Sequence, residues 1–315
     1  MAASVLSSRA VIGMFYERLE QGIGLDWAAD LSMFFDKSTQ AEEEYKWIGP
    51  APTMREWKGG RQPVGLSDAG QKIKNTLYES TLEIDIYDLQ FDQTGQLKVR
   101  IDEHAAQANT HWIELLSDKI LNGAAGVCYD SHYFFDTDHE GGDSGVQSNK
   151  VSVDISALPC NQHGSVTAPS PEEMELLILY AIQTTLGFKN EKGKPANRGA
   201  KSFRVMVPVS LMMSAAAAIV NPVLTSGKTN TIVTSDFEIK LITNGDLTWT
   251  DRFSVFRADG YTKPFIRQQR EDVKVAAVAE GSELEFYRHK HHYGISAYRG
   301  VGYGQWRHAC QIILI

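Results

Sequence analysis

The chain has 315 residues, enough for one large core or two modest ones, and is 43% apolar and 22% charged. No apolar run approaches the ~20 residues that cross a bilayer, and the stretch from Met1 to Gly13, with one arginine, makes a poor signal peptide. A formal net charge of −8 repels a phosphate backbone, so any nucleic-acid contact is expected to be weak and local. Three widely spaced cysteines (Cys128, Cys160 and Cys310) argue against a disulfide framework and fit a reducing compartment; with no Cys-x-x-Cys pair they also argue against a zinc ribbon.

Val11, Met14, Phe15 and Leu19 recur at roughly helical spacing before Gly22 and Gly24 interrupt. Trp27, Leu31, Phe34 and Phe35 form a second short stripe. Stripes this short cannot bury themselves. Residues 1–45 are therefore either a helical subdomain on the main core or an arm on a neighbouring molecule. Residues 46–62 hold Trp47, Pro50, Pro52, Trp57, Gly59 and Gly60, too much punctuation for a helix. Leu82, Ile84 and Ile86 alternate with Glu83, Asp85 and Tyr87 at strand period, and a segment near 72–78 is expected to pair with them as a hairpin. A two-stranded hairpin is marginal alone in water, so another subunit is a candidate partner surface.

Residues 97–122 carry the clearest helix, with Ile101, Ala105, Ala108, Trp112, Leu115 or Leu116, and Ile120 at steps of three and four. Lys119 suits its last turn and Gly123 the position just beyond. At ~1.5 Å per residue it spans ~35 Å, long for a core element and suited to a backbone on which other parts hang. A strand is expected at 151–155. Ser170, Pro171 and Glu173 then announce a helix with a capping box, Met174, Leu177, Ile178, Ala181 and Ile182 facing inward and Gly187 ending it. A basic loop at 189–201, a buried strand at 203–207 and an Ala-rich helix at 211–220, stopped by Asn221-Pro222, follow. The remainder reads as strands at 237–243, 253–256, 273–278, 284–287, 293–298 and 306–315, with Asn244-Gly245 as a hairpin turn. Helices and strands mix without regular β-α-β alternation, which defines an α+β chain.

The run from Cys128 to His139 (Cys-Tyr-Asp-Ser-His-Tyr-Phe-Phe-Asp-Thr-Asp-His) has two readings. In one, His132, Asp136, Asp138 and His139 hold the metal of a hydrolase. Asp136 and Asp138 would then share a strand face, but His139 would point away, and no helical His-Glu-x-x-His supports them. In the other, the aspartates cap backbone amides in a turn while Tyr133, Phe134 and Phe135 fill the core. His289-Lys290-His291-His292 would place His289 and His291 on one strand face, where they could bind a metal, but a charged, solvated strand edge is the commoner meaning. Ser144, Ser226 and Ser282 lack a Gly-x-Ser-x-Gly elbow. Gly300-Val301-Gly302-Tyr303-Gly304 contains no lysine and opens no helix, which fits a tight bend anchored by Tyr303 and Trp306.

Order and spacing carry a resemblance. Trp47-Ile48-Gly49, Arg55-Glu56-Trp57, the hairpin, the long helix, Cys128-Tyr129-Asp130, and Phe134 through His139 come in sequence. Tyr293 through Arg299 and Gly302-Tyr303-Gly304-x-Trp306 close the pattern. Over residues 45–315 the chain resembles the Mu-like phage major head subunit (T protein) family. The resemblance implies an α+β capsid fold of the Hong Kong 97 type. Its parts would be an N-terminal arm at 1–45, an extension loop at 46–96, a peripheral domain with a spine helix at 97–160, an axial domain at 161–258, and peripheral C-terminal strands at 259–315. It implies a major capsid protein of the virion, not an enzyme and without a cofactor. Such a subunit self-assembles into pentamers and hexamers of an icosahedral shell in the host bacterial cytoplasm. The shell encloses phage double-stranded DNA without sequence-specific binding and touches no membrane; portal, scaffolding or protease, and decoration proteins are its other partners. Trp47 and Trp57 are then expected to seat the extension loop, Arg55 and Glu56 to form ion pairs between subunits, and Leu82, Ile84 and Ile86 to bury against a neighbour. The rival classes are the metal-dependent hydrolase above and a minor or decoration virion protein.

Overall fold

The computed structural model describes residues 7–20, 26–36, 38, 40–46, 59, 70–91, 95–223, 227 and 229–315. The first elements are α1 (Ser8–Glu20), α2 (Asp26–Leu31), β1 (Ser32–Asp36), β2 (Glu42–Tyr45), β3 (Gln71–Lys74), β4 (Thr76–Asp85), α3 (Ile86–Phe91) and the long α4 (Gln96–Leu121). The middle of the chain supplies β5 (Lys150–Val153), α5 (Pro171–Gly187), β6 (Ser202–Val207), α6 (Met212–Val220), α7 (Thr231–Thr234) and β7 (Glu238–Thr243). It ends with β8 (Arg252–Arg257), β9 (Phe265–Val278), α8 (Glu283–Arg288), β10 (Lys290–Tyr303) and β11 (Ala309–Leu314). Among the described residues these strands form three sheets, in the orders β1-β9-β10-β4, β5-β11-β8-β6-β7 and β2-β3.

The apolar spacing of α4 buries Ile101, Ala105, Trp112, Leu116 and Ile120 in one stripe. Part of this stripe meets β10 and β4, and α1 closes the same core with Val11 and Phe15, both fully buried. Asn109 of α4 donates to the Leu19 carbonyl at 3.3 Å. The first helix, Ser8–Glu20, therefore packs on α4 of the same chain. Arg299 of β10 donates to the Ala108 carbonyl at 2.6 Å and lies over the Trp112 ring at 4.6 Å, with Arg267 of β9 also over that ring at 5.4 Å.

The expected hairpin at 64–92 is replaced by two other pairings. β3 runs antiparallel to β2, and β4 runs antiparallel to β10, with Leu82 opposite Tyr293 and Ile84 opposite His291. Asn75 separates the two strands. Its amide donates to Ser38 Oγ (2.6 Å) and the Gln40 carbonyl (3.1 Å), and its Oδ1 accepts from Gln268 (3.0 Å). A long partner strand already paired with β9 offers β4 more ladder bonds and an apolar face than a lone hairpin can.

Two local signals misled in the same way. Residues 284–287 are helical: Ser282 caps α8 by accepting the Glu285 amide, and the Glu285 carboxylate accepts from Gly281. Asn244-Gly245 is no hairpin, because β6 lies between β7 and β8, parallel to one and antiparallel to the other. Asn244 instead takes up the end of β6 through the Val207 carbonyl (3.0 Å) and donates to Ser117 Oγ of α4 (2.8 Å). The capping box of α5 is present as expected. Helices α5 and α6 cover the five-stranded sheet through Met174, Leu177, Ile178, Ala181, Ala215 and Ala218. β9 and β10 stay in the four-stranded sheet, whereas β11 crosses to the other one, between β5 and β8.

His308 lies buried at that crossing, where a Cβ on Gly260 would come within 2.9 Å of its ring. Burial, with the nearby positive charges of Arg257 and Lys263, pushes its pKa from 6.5 down to about 4, against the Thr262 backbone and Asp259, which act the other way. The unfolded chain therefore binds the extra proton between these values, and stability is lost as pH falls from about 6.5 to about 4. Between about pH 7 and about pH 4, His308→Gln is expected to shrink the acid-induced loss of unfolding free energy by about 2–4 kcal/mol, read from urea titrations. An equal loss in both proteins would contradict this.

Candidate assembly surface

The run from Cys128 to His139 follows the end of α4, where the chain reverses. The amides of Phe134 and Phe135 donate to the Gly126 and Gly123 carbonyls, each at 2.9 Å, and the Cys128 amide donates to the His132 carbonyl at 2.7 Å. Two close approaches need glycine: a Cβ on Gly126 would lie 2.2 Å from the Tyr303 hydroxyl, and one on Gly123 would lie 2.5 Å from the Phe135 ring. The reversal drives Phe134 against Tyr303, stacked at 4.9 Å, and Phe135 toward Phe256. Asn149 holds the turn from behind, donating to the Phe134 carbonyl (2.7 Å) and accepting the Asp136 amide (2.9 Å).

The four residues of the hydrolase reading do not form one centre. His139 is fully buried, with Nδ1 2.7 Å from Asp130 Oδ2 and its ring stacked on Trp306 at 3.9 Å and 8°. Its Nδ1 and its ring face are taken up inside the core. His132, Asp136 and Asp138 do approach one another, yet both Asp136 oxygens already accept backbone amides, from Thr137 (2.8 Å) and Tyr133 (3.0 Å). Burial alone would raise the Asp136 pKa, but these amides and Asp138 hold it below the ordinary carboxylate range. This is the capping turn of the second reading, with Phe134 and Phe135 in the core but Tyr133 46% exposed instead of filling it. His289 and His291 likewise part company: His289 ends α8 in the left-handed region (φ 54°), and only His291 is on β10.

Of the residues expected at subunit contacts, Trp47, Arg55, Glu56 and Trp57 lie outside the described residues. Ile84 is only 4% exposed, packed with Val11, Phe15 and Ile101, and Leu82 joins the edge of that cluster. Within the single chain, Ile84 therefore packs against α1 and α4, and Leu82 is half-buried beside it. Ile86 starts α3 and lines an open groove with Tyr87, Gln90, Phe286 and His289.

The bare apolar surface is elsewhere. Phe286 and Tyr287 of α8 are 77% and 75% exposed, edge to face at 5.1 Å, with Tyr87 of α3 also exposed beside the same groove. On the other sheet, Met213 and Val220 of α6 are 73% and 71% exposed, and Val209 and Val223 flank them in sequence. Sequence reasoning missed both patches. The Ser-x-x-Glu box at Ser282 was the available signal, since helical phasing turns Phe286 and Tyr287 outward where strand phasing would bury one of them.

A long helix against an edge-to-edge sheet of long strands, tied by an aromatic junction to a second sheet under two helices, is the architecture of tailed-phage capsid proteins of the Hong Kong 97 type. A chain of the procapsid of bacteriophage JBD30 has this fold, matching with a TM-score of 0.56 over 97% of this chain and 74% of that one at 19% identity. The chain belongs to the Mu-like prophage major head subunit gpT family, whose model matches residues 26–158 and 242–312. It is 34% identical over 117 residues to the Mu-like prophage FluMu major head subunit of Haemophilus influenzae, covering 37% of this chain and 38% of the relative. It is 31% identical over 137 residues to the major capsid protein of Escherichia phage Mu, covering 41% and 45%. The matched stretches thus span less than half the length of either curated relative.

The turn and the metal readings differ in what two single changes do. His139→Ala is expected to cost about 2–4 kcal/mol of stability by emptying a stacked, hydrogen-bonded core position. Asp138→Ala, at an exposed site, should stay within about 0.5 kcal/mol. Denaturant unfolding of the two variants checks this; a larger loss for Asp138→Ala than for His139→Ala would revive the metal centre.

Proposed function

We propose that this chain is a major capsid subunit that self-associates into pentamers and hexamers of an icosahedral shell around phage double-stranded DNA. The observation that carries the reading is the gpT family match, which takes in the long helix α4, the junction turn and the paired strands β9 and β10. Two further observations support it. The apolar patches on α8 and α6 sit on the helices of different sheets, so one subunit offers two separate faces for association. Non-identical faces meeting head to tail generate closed rings, and obligate contacts of this kind bury ~2,000–5,000 Å2. The charge of −8 suits a container in which DNA must pack without adhering to the wall.

In this reading α4 is the spine helix and the β1-β9-β10-β4 sheet the peripheral domain. The axial domain expected at 161–258 supplies α5, α6 and β6 to β8, its sheet also taking β5 and β11 from the residues expected to be peripheral, and the extension loop expected at 46–96 ends through β4 in the peripheral sheet. Trp47, Arg55, Glu56 and Trp57 are that loop's candidate contact residues. Portal, scaffolding or protease, and decoration proteins are the partners such a shell calls for, with assembly in the host cytoplasm before release as a virion.

Negative-stain electron microscopy of the overexpressed chain is expected to show shells, tubes or capsomer rings. The double change Phe286→Asp and Tyr287→Asp should abolish them while leaving the thermal unfolding of the subunit within a few degrees, because both side chains lie in water in the lone subunit. A wild-type chain that stays a monodisperse monomer would sink the capsid reading. Low copy number in a purified particle would point instead to a minor virion protein.

A further inference from the structure

The capping box at the start of α5 does more than a cap requires. Glu173 Oε2 accepts the backbone amides of Ser170 (2.7 Å) and Gly164 (2.9 Å), which completes the box and ties down the preceding loop. Its other oxygen, Oε1, lies 3.0 Å from His163 Nδ1. Beside the same nitrogen, at 3.4 Å, is Cys160 Sγ. A thiol sulfur, an imidazole nitrogen and a carboxylate oxygen therefore face one another, all three within 4.8 Å.

These separations resemble those of a tetrahedral metal site. An ion with sulfur at ~2.3 Å and nitrogen and oxygen at ~2.0–2.1 Å sets neighbouring ligand atoms ~3.3–3.6 Å apart. The observed 3.0 and 3.4 Å need only small side-chain shifts to reach that. The ligands are also held before any ion arrives. Ser170 Oγ donates to the Gln162 carbonyl (2.7 Å), the Asn161 amide donates to Glu172 (3.1 Å), and Ser165 and Ala168 pair across the loop. Gly164 permits the close pass, since a Cβ there would lie 2.3 Å from the Ala168 carbonyl. The Glu173 side chain has no solvent exposure, whereas His163 is partly open to solvent. Backbone amides thus orient the buried ligand, and the open side leaves room for a fourth.

We propose that Cys160, His163 and Glu173 form a three-ligand site for a divalent ion of the zinc class. Thiolate with imidazole selects zinc or cobalt over magnesium or calcium, which prefer oxygen ligands. On binding, the Cys160 thiol releases its proton to solvent, and the ion takes the thiolate sulfur, the lone pair of His163 Nδ1 and a carboxylate oxygen of Glu173. Thiolate and carboxylate together then balance the dication. The fourth position is open to water or to a group from a neighbouring subunit. The ion would lock the loop between β5 and α5 onto the helix start. All three ligands lie between the two stretches that the family model matches.

The test is a cobalt(II) titration of the purified, reduced full-length chain. One equivalent is expected to bind with a near-ultraviolet thiolate-to-cobalt charge-transfer band that zinc(II) displaces and magnesium(II) does not. Cys160→Ser should remove the band and His163→Ala should weaken binding by about ten-fold or more, both with an unchanged circular dichroism spectrum. Cys128 and Cys310 are buried, so neither supplies the band. Zinc(II) should also slow alkylation of Cys160, read by peptide mass spectrometry. The absence of a band, its survival in Cys160→Ser, or alkylation at the same rate with and without zinc(II) each overturns the site.

Discussion

The imidazole of His139 lies flat on the indole of Trp306, 3.9 Å away, and the rest of the molecule is arranged around that contact. His139 comes from the turn that follows α4; Trp306 comes from the bend between β10 and β11, where the chain leaves one sheet for the other. Joining them fixes the end of the long helix to the crossing point of the two sheets. Asp130 orients the imidazole, and Arg307 reaches from the residue after Trp306 to the Tyr129 hydroxyl (3.2 Å) and Glu191 (2.8 Å). Phe134 on Tyr303, with Phe265 and Phe256 behind, extends the same junction into a single apolar cluster. Aromatic faces carry both large buried area and preferred angles, so such a junction fixes orientation as well as position.

In the proposed shell this junction would bear on assembly. With the core of each sheet closed by its own helices, two of the exposed apolar patches lie on the outer sides of α8 and α6. A ring or shell requires each subunit to present its contact faces at a reproducible angle, since small angular errors accumulate around a closed ring. In that proposal, the junction between the sheets would hold the α8 and α6 patches at a set angle. On β4 only Ile84 is buried, while most of the strand is exposed, as are the outer sides of α8 and α6. The proposed metal site is independent of this geometry, because it acts within one loop and one helix start.

Local features of this protein were legible in its residues. The stripe of α4, the Ser170-Pro171-Glu173 box and the stop at Asn221-Pro222 depend only on side chains within a turn or two of each other. The family resemblance was legible too, because it rests on the order and spacing of such local motifs. The strand pairing was not. Asn244-Gly245 looks like a hairpin turn, and only the insertion of β6 between β7 and β8 prevents one. Leu82 and Ile84 announce a strand with one apolar face, but nothing nearby says whether that face meets α1 or another molecule. His139 shares its dozen residues with His132, Asp136 and Asp138. What separates it from them is Trp306, far along the chain, whose ring takes up the imidazole. By itself the sequence determined the helices α4, α5 and α6 with most of their starts and stops, and to which family the chain belongs; tertiary structure alone decided which strands pair, which short segments such as 284–287 turn helical, which histidine is core and which aromatics stay in water, because those outcomes depend on contacts between residues that no local periodicity relates.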